Sequence, residues 1–264
     1  MKLLRVIPVL LLLFSAPAGY SRQGPAGDCQ ARHAGAYLQQ GGPGDDLRAV
    51  IARYGQAEVV IGYPGFAEMT RLASRFPVSS CDGKTAHLIL SDRYAGEFIA
   101  TGIPYTVSVP EEPKGFYTAS SVDEAMLWQS YPTWKHYDTI MHRIAEQWPG
   151  VCRLDTIGFS VQGRAVLVLK ISDNPQADEP EPEVMLTSSI HGDESAGFVL
   201  LMRLAEYLAS GGSSSGAPAT TDLVSGLEIW INPLANPDGM YRNSDTMTYP
   251  VRANNNGYDL NRNF

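Results

Sequence analysis

The sequence is short of three things. It holds 3 cysteines in 264 residues, too few and too widely spaced for a disulfide framework or a cysteine-rich zinc knuckle. Cys29, Cys81 and Cys152 therefore read as single buried thiols. It lacks a basic tract, and Lys plus Arg number 20 against 28 Asp plus Glu, a formal charge of -8. A nucleic-acid binder needs a surplus of positive charge, so that class is excluded. It also lacks any apolar run of the roughly 20 residues that a bilayer requires, so stable membrane insertion is not expected. What is present is a composition with 44% hydrophobic and 18% charged residues, enough apolar side chains to build cores and too many for a disordered or collagen-like chain.

The N-terminus reads as an export signal. Lys2 and Arg5 precede the short apolar run Val6 to Phe14, and Ala16-Pro17-Ala18 has the small-x-small pattern of a signal-peptidase site. Residues 1–18 are thus expected to be a signal peptide, and the protein secreted or extracytoplasmic, in a periplasm or outside the cell. A Gly/Pro-rich linker over 19–45 follows.

Residues 46–110 read as a small α+β unit. Leu47, Val50 and Ile51 recur at helical spacing, and so do Met69 and Leu72. Strands are expected over 57–63, 87–90 and 106–109, with Ser91-Asp92 capping a helix that runs to Ala100. His87 lies in an apolar strand and reads as a packed core imidazole. Val109-Pro110-Glu-Glu-Pro113 opens a second linker, 111–130. From 131 onward the pattern is that of an α/β domain. An amphipathic helix carries Tyr137, Ile140, Met141 and Ile144 and stops at Trp148-Pro149-Gly150. Strands 152–157 and 165–171 flank a glycine-bearing hairpin, strand 184–190 ends on His191, a helix over 198–208 is apolar nearly all round, and strand 227–231 runs into Asn232. The expected architecture is a mixed, mostly parallel sheet flanked by helices. Chemistry in such sheets gathers at the carboxyl ends of strands, where His191 and Asn232 fall.

Two constellations carry chemistry. His191 and Glu194 stand three apart in a turn that Gly192 permits, and an imidazole and a carboxylate are ligand types that a catalytic zinc accepts. A surface histidine beside a helix-capping glutamate remains an equally simple reading of that pair, and Asp193 is placed either to orient the histidine or to cap the next helix. The second constellation is Arg252, then Asn261-Arg262. A guanidinium beside an amide suits a carboxylate, through bidentate charge-assisted hydrogen bonds, and Arg252 could reach a developing oxyanion. An Asn-rich turn with surface arginines is the alternative.

Taken in order, Tyr137 to Trp148, Ile157-Gly-Phe-Ser-Val-Gln-Gly-Arg164, Leu169-Lys-Ile-Ser172, His191-Gly-Asp-Glu194, Ile231-Asn-Pro-Leu-Ala-Asn-Pro-Asp-Gly239 and Gly257-Tyr-Asp-Leu-Asn-Arg-Asn-Phe264 resemble the secreted zinc metallocarboxypeptidases, most of all the carboxypeptidase N/E and D branch and bacterial exported members. The resemblance covers residues 131–264, and more weakly it extends to 46–110 as a prosegment-like domain. It implies one Zn2+ per complete site, with His191 and Glu194 as two of three protein ligands. It implies further that Asn261 and Arg262 hold the terminal carboxylate of a peptide or protein substrate, and that Arg252 polarises the scissile carbonyl. The reaction implied is hydrolysis of the last peptide bond by a zinc-activated water, with a glutamate as general base. Where the pancreatic branch has an arginine between the ligands, this chain has Asp193.

In that family the third ligand and the general base lie downstream of the Asn-Arg pair, so the resemblance places both beyond Phe264; His33, His87, His136 and His142, the other histidines, all lie upstream. The chain as given is therefore expected to be the N-terminal half of a catalytic domain, 131–264, inactive alone. A peptidoglycan amidase or D,L-peptidase on the same scaffold, and a non-catalytic peptide-binding relative, are the alternatives. The oligomeric state is not legible.

Overall fold

The computed structural model describes residues 45–109, 116–212 and 220–262. The expected signal peptide 1–18 and nearly all of the linker 19–45 lie outside the described residues, as do Cys29 and Phe264.

The first unit runs α1 (Asp45–Tyr54), β1 (Ala57–Gly62), α2 (Phe66–Ala73), β2 (Val78–Cys81), β3 (Thr85–Leu90), α3 (Asp92–Ala100) and β4 (Tyr105–Ser108). The strand order is β2-β3-β1-β4 with every pairing antiparallel, a split βαβ arrangement. Period-two alternation turns Ala57, Val59 and Ile61 of β1 and Ala86, Leu88 and Leu90 of β3 inward. Onto them pack Leu47, Val50 and Ile51 of α1, Leu72 of α2 and Phe98 of α3. Phe76, Phe98 and Tyr105 add edge-to-face contacts at 5.5 and 5.3 Å.

Three expectations are corrected here and a fourth is refined. Strand β2, with three of its four residues exposed, gives no apolar alternation and was not expected. His87 is not in the core: it falls on the outer, half-buried register of β3, where Nδ1 meets Glu58 Oε1 at 2.9 Å. Cys81 is exposed at the sheet edge, whereas Cys152 is buried; burial pushes the Cys152 thiol up to about 12. Ser91 does hold the N-cap position of α3, which runs to Ala100 as expected, but its side chain makes no cap bond; its hydroxyl donates instead to Gly257 O in the second unit, at 2.8 Å.

The second unit begins earlier than expected. Residues 116–130, read as linker, carry α4 (Val122–Ala125), and Ala119 and Ala125 are buried in the second core. Their Pro/Gly-free, mixed composition has no periodicity long enough to show this. Then follow α5 (Trp134–Gln147), β5 (Cys152–Phe159), β6 (Ala165–Ile171), β7 (Glu183–Thr187), α6 (Ala196–Ala209), α7 (Thr221–Val224), β8 (Glu228–Asn232) and α8 (Pro237–Tyr241). Helix α5 starts where Thr133 Oγ1 accepts the His136 amide at 3.0 Å. Its stripe of Tyr137, Ile140, Met141 and Ile144 is fully buried. The sheet is mixed, in the order β5-β6-β8-β7; β7 runs parallel to β8, and the other two pairings are antiparallel. Helix α6 buries Phe198, Met202, Ala205 and Leu208 on one side while leaving Leu200 exposed, so it is amphipathic rather than buried all round. Among the described residues no helix is long and apolar enough to cross a membrane.

Candidate active site

Strand β7 delivers the chain to the site. After Thr187 the backbone leaves the sheet, and Ser189 takes a left-handed φ of 55°, a conformation that a non-glycine residue holds only when its surroundings enforce it. Those surroundings are visible: Ser189 Oγ donates to Glu194 O at 2.8 Å, and Ser189 O accepts the Asn236 amide at 3.0 Å. The turn 191–194 is thereby closed on itself and tied to the start of α8.

Gly192 has a steric reason. A Cβ there would lie 2.0 Å from Gly239 C and 2.3 Å from Met240 N, so the turn and α8 touch backbone to backbone. Gly239 is confined in return, since its own Cβ would meet Val251 O and Ala253 O at 2.7 Å. The Asn-Pro-Asp-Gly segment thus acts as the seat of the His191 turn. Asp238, 1% exposed in its side chain, accepts from Ser160 Oγ (2.7 Å), Gln162 N (3.0 Å) and Arg164 Nη1 (3.0 Å). Arg164 Nη2 then donates to Arg242 O and Ser244 O. The β5–β6 hairpin is in this way bolted under α8.

His191 is buried, and its ring is held at both nitrogens: Nδ1 faces Glu194 Oε1 at 2.8 Å and Nε2 faces Asp259 Oδ1 at 3.0 Å. Asp259 Oδ2 takes Arg252 Nε at 2.7 Å, and Oδ1 accepts the Asn261 amide at 2.9 Å. Burial alone would raise the Asp259 carboxyl. The hydrogen bonds from His191, Arg252 and Asn261 outweigh it and hold the group below the usual carboxylate range. For His191, burial favours the neutral ring, but the Asp259 and Glu194 hydrogen bonds prevail and shift its pKa upward. The hydrogen bond with His191 lowers Glu194.

The structure therefore brings four residues together: His191, Glu194, Arg252 and Asp259. Asp259 has no role in the sequence reading beyond membership of its motif; an acidic residue two before Asn261 was the available signal. Asn261 reaches this cluster through its backbone. Arg262 points away from it, donating from Nη1 to Asn261 O and from Nη2 to Val78 O of β2, at 2.8 and 2.9 Å. Asp193 neither caps α6 nor hydrogen-bonds His191; its Oδ2 accepts from Gln56 Nε2 of the first unit at 3.1 Å.

The donor set suits zinc. With Nε2 engaged by Asp259, Nδ1 is the nitrogen presented toward Glu194. Two ligands on a tetrahedral zinc stand about 3.3 Å apart when their bonds are ~2.0–2.1 Å, and the observed 2.8 Å needs only a small opening for a cation to replace the shared proton. No third ligand joins them among the described residues. The groups of three or more potential ligand atoms there are Asp173/Glu179/Glu181 and Asp178/Glu183/Glu228, both away from His191.

Comparison with known proteins agrees with this chemistry. Residues 137–264 match the family described as zinc carboxypeptidase. Among its relatives, carboxypeptidase D of Mus musculus is 35% identical over 172 residues, covering 64% of this chain and 12% of that protein. The carboxypeptidase N catalytic chain of Homo sapiens is 36% identical over 143 residues, covering 50% of this chain and 31% of that protein. The chain thus spans less than a third of either relative's length. Among solved structures, carboxypeptidase A from Helicoverpa armigera aligns with a TM-score of 0.49 at 18% identity, over 76% of this chain and 53% of that one.

Proposed function

We propose that this chain forms the metal-binding and substrate-orienting part of an exported zinc metallocarboxypeptidase acting on the C-termini of peptides or proteins. The observation that carries the reading is the His191 ring fixed between Glu194 and Asp259, with Arg252 on the same aspartate. In this reading His191 Nδ1 and Glu194 are two zinc ligands. Zinc bound there would supply Lewis acidity toward a carbonyl and toward water.

The remaining roles belong to the chain's own side chains. Asp259 fixes the tautomer and ring orientation of His191. It also holds Arg252 by Nε, and the other guanidinium nitrogens of Arg252 take no hydrogen bond among the described residues. That free end offers two NH2 groups to a scissile carbonyl oxygen and to the negative charge it gains. Asn261 and Arg262 are assigned to the substrate's terminal carboxylate, a role for which Arg262 must leave Val78 O. The third ligand and the general base are assigned to residues outside those described. Export follows from Lys2, Arg5 and the apolar run to Phe14. Residues 46–110 are read as a prosegment-like domain.

The test is a zinc titration of the metal-stripped 264-residue chain, followed by hydrolysis assays on peptides with free C-termini and on muropeptides. Weak binding at one equivalent is expected, abolished by H191A and by E194Q, with no amino acid released by the chain alone. A protein completed with third ligand and base should release C-terminal residues from peptides and lose at least a thousandfold in kcat/KM with either variant. Zinc binding that ignores both substitutions would sink the assignment, and a preference for muropeptides would move it to the cell wall.

A further inference from the structure

Among the described residues, Gln56 is the side chain through which the first unit hydrogen-bonds both the His191 turn and the Arg252 segment. Gly55, at φ 84°, ends α1 with its amide on Ile51 O at 2.7 Å, and β1 begins at Ala57. Gln56 is therefore held between two fixed elements. Its amide reaches into the second unit: Oε1 accepts the Arg252 backbone N–H at 2.7 Å, and Nε2 donates to Asp193 Oδ2 at 3.1 Å. The partners settle which end of the amide is which, since one is a donor and the other an acceptor.

These two contacts close a ring. Asp193 lies between His191 and Glu194 in the turn, His191 bonds Asp259, Asp259 bonds Arg252, and Arg252 returns to Gln56. We propose that Gln56 is a positioning residue of the candidate active site, contributed by the small unit, which pins the metal-binding turn and the Arg252 segment at a fixed separation. This rests on the zinc reading above for its purpose, though not for its geometry.

The chemistry explains the residue type. A primary amide serves a carboxylate and an N–H at once, through separate atoms that reach both partners; a glutamate would set two carboxylates face to face, and an apolar side chain would serve neither. The seam is close-fitting beside Gln56, while a cleft of about 440 Å³ opens farther along it between Gly55, Arg93, Arg242 and Asn254. Between Gln56, Arg252, Asp259 and the start of α3 there remains a cavity of about 10 Å³, no more than one water's worth. Other seam contacts hold the unit in place without touching the ring: Ser91 on Gly257 O, Arg93 stacked 3.7 Å over Tyr258, and Arg242 Nη1 on Tyr54 O at 3.2 Å.

The experiment uses the whole 264-residue chain and three variants, Q56M, Q56E and S91A, read by hydrogen exchange at the Glu194 and Arg252 amides and by zinc titration. Q56M should speed exchange at both amides about tenfold and weaken zinc about tenfold, the scale on which outlying ligand supports act, while β1 and β3 amides stay protected. Q56E should keep the Arg252 amide protected and loosen Glu194. S91A, which removes a seam bond outside the ring, should change neither zinc affinity nor Glu194 exchange. Wild-type exchange at Glu194 in Q56M overturns the proposal, and so does an S91A effect equal to that of Q56M, since the seam as a whole would then be responsible. Should the wild-type chain bind no zinc, the zinc reading fails by itself and the Glu194 exchange still decides for or against Gln56.

Discussion

The two units treat charge in opposite ways. In the first, ionic contacts lie outside: Arg75 with Glu97, Arg71 with Glu68 and His87 with Glu58 all keep substantial exposure, and the interior is apolar. In the second, Asp238, Asp259, His191, Lys170 and Glu228 are buried. Taking charge from water is unfavourable unless each group is met by partners, so buried charge shows where backbone has to be held against its preference. Lys170 and Glu228 pair at 2.7 Å, and Glu228 also accepts the Glu179 amide, which clasps the 174–182 loop. Asp238 clasps a hairpin, and Asp259 orients a histidine. The first unit is a scaffold finished by hydrophobic burial, while the second gives up part of that burial to fix loops around the candidate site.

Four substitutions would sharpen or break this contrast. Asp238→Ala removes a carboxylate with three donors and leaves the Arg164 guanidinium without its counter-charge, so a loss of about 3–5 kcal/mol is expected. Denaturant unfolding would measure it, and exchange in α5 and β6 should rise before that in β1 and β3; equal loosening of both units would contradict the division. Leu88→Ala, in the fully buried centre of the first unit, should cost about 2–5 kcal/mol while leaving the zinc affinity of the folded chain within twofold. A large change in that affinity would mean that the apolar core of the first unit, and not Gln56 alone, shapes the site. Asp259→Asn preserves shape but sets an amide N–H against one of its donors, and zinc binding is expected to fall ~10–100-fold with a stability loss smaller than that of Asp238→Ala. Glu58→Ala, on the half-exposed His87 pair, should alter stability by no more than about 1 kcal/mol; a drop as large as that for Asp238→Ala would erase the distinction between surface and buried charge.

Local pattern made much of the fold readable. Helix α5 announced itself through Tyr137, Ile140, Met141 and Ile144, and all four are buried. Strands β5, β6 and β8 agree with their apolar runs within about two residues, and the turn after β7 brings His191 and Glu194 into contact. What stayed hidden depends on distant partners or weak signals. Strand β2 exists because β3 offers it an edge, and its own Ser-Ser-Cys composition is mute. Residues 116–130 fold because the second core needs Ala119 and Ala125. Within the site, the Arg262 contact with Val78 joins residues 184 apart, and the Gln56 contact with Arg252 joins residues 196 apart; no periodicity encodes such pairs. Asp259 sat in plain view in its motif, but its task is defined by a histidine 68 positions away.

The bare backbone contact between Gly192 and Gly239 sets a rule for anyone who would transplant this site. The His-x-x-Glu turn has no shape of its own to carry elsewhere, because one side of its mould is the first turn of α8. A graft into another scaffold must bring Asn236–Tyr241 with it, and a library that randomises position 192 or 239 should be varied at both together. Two short stretches of sequence, far apart along the chain, are in this sense one interchangeable part.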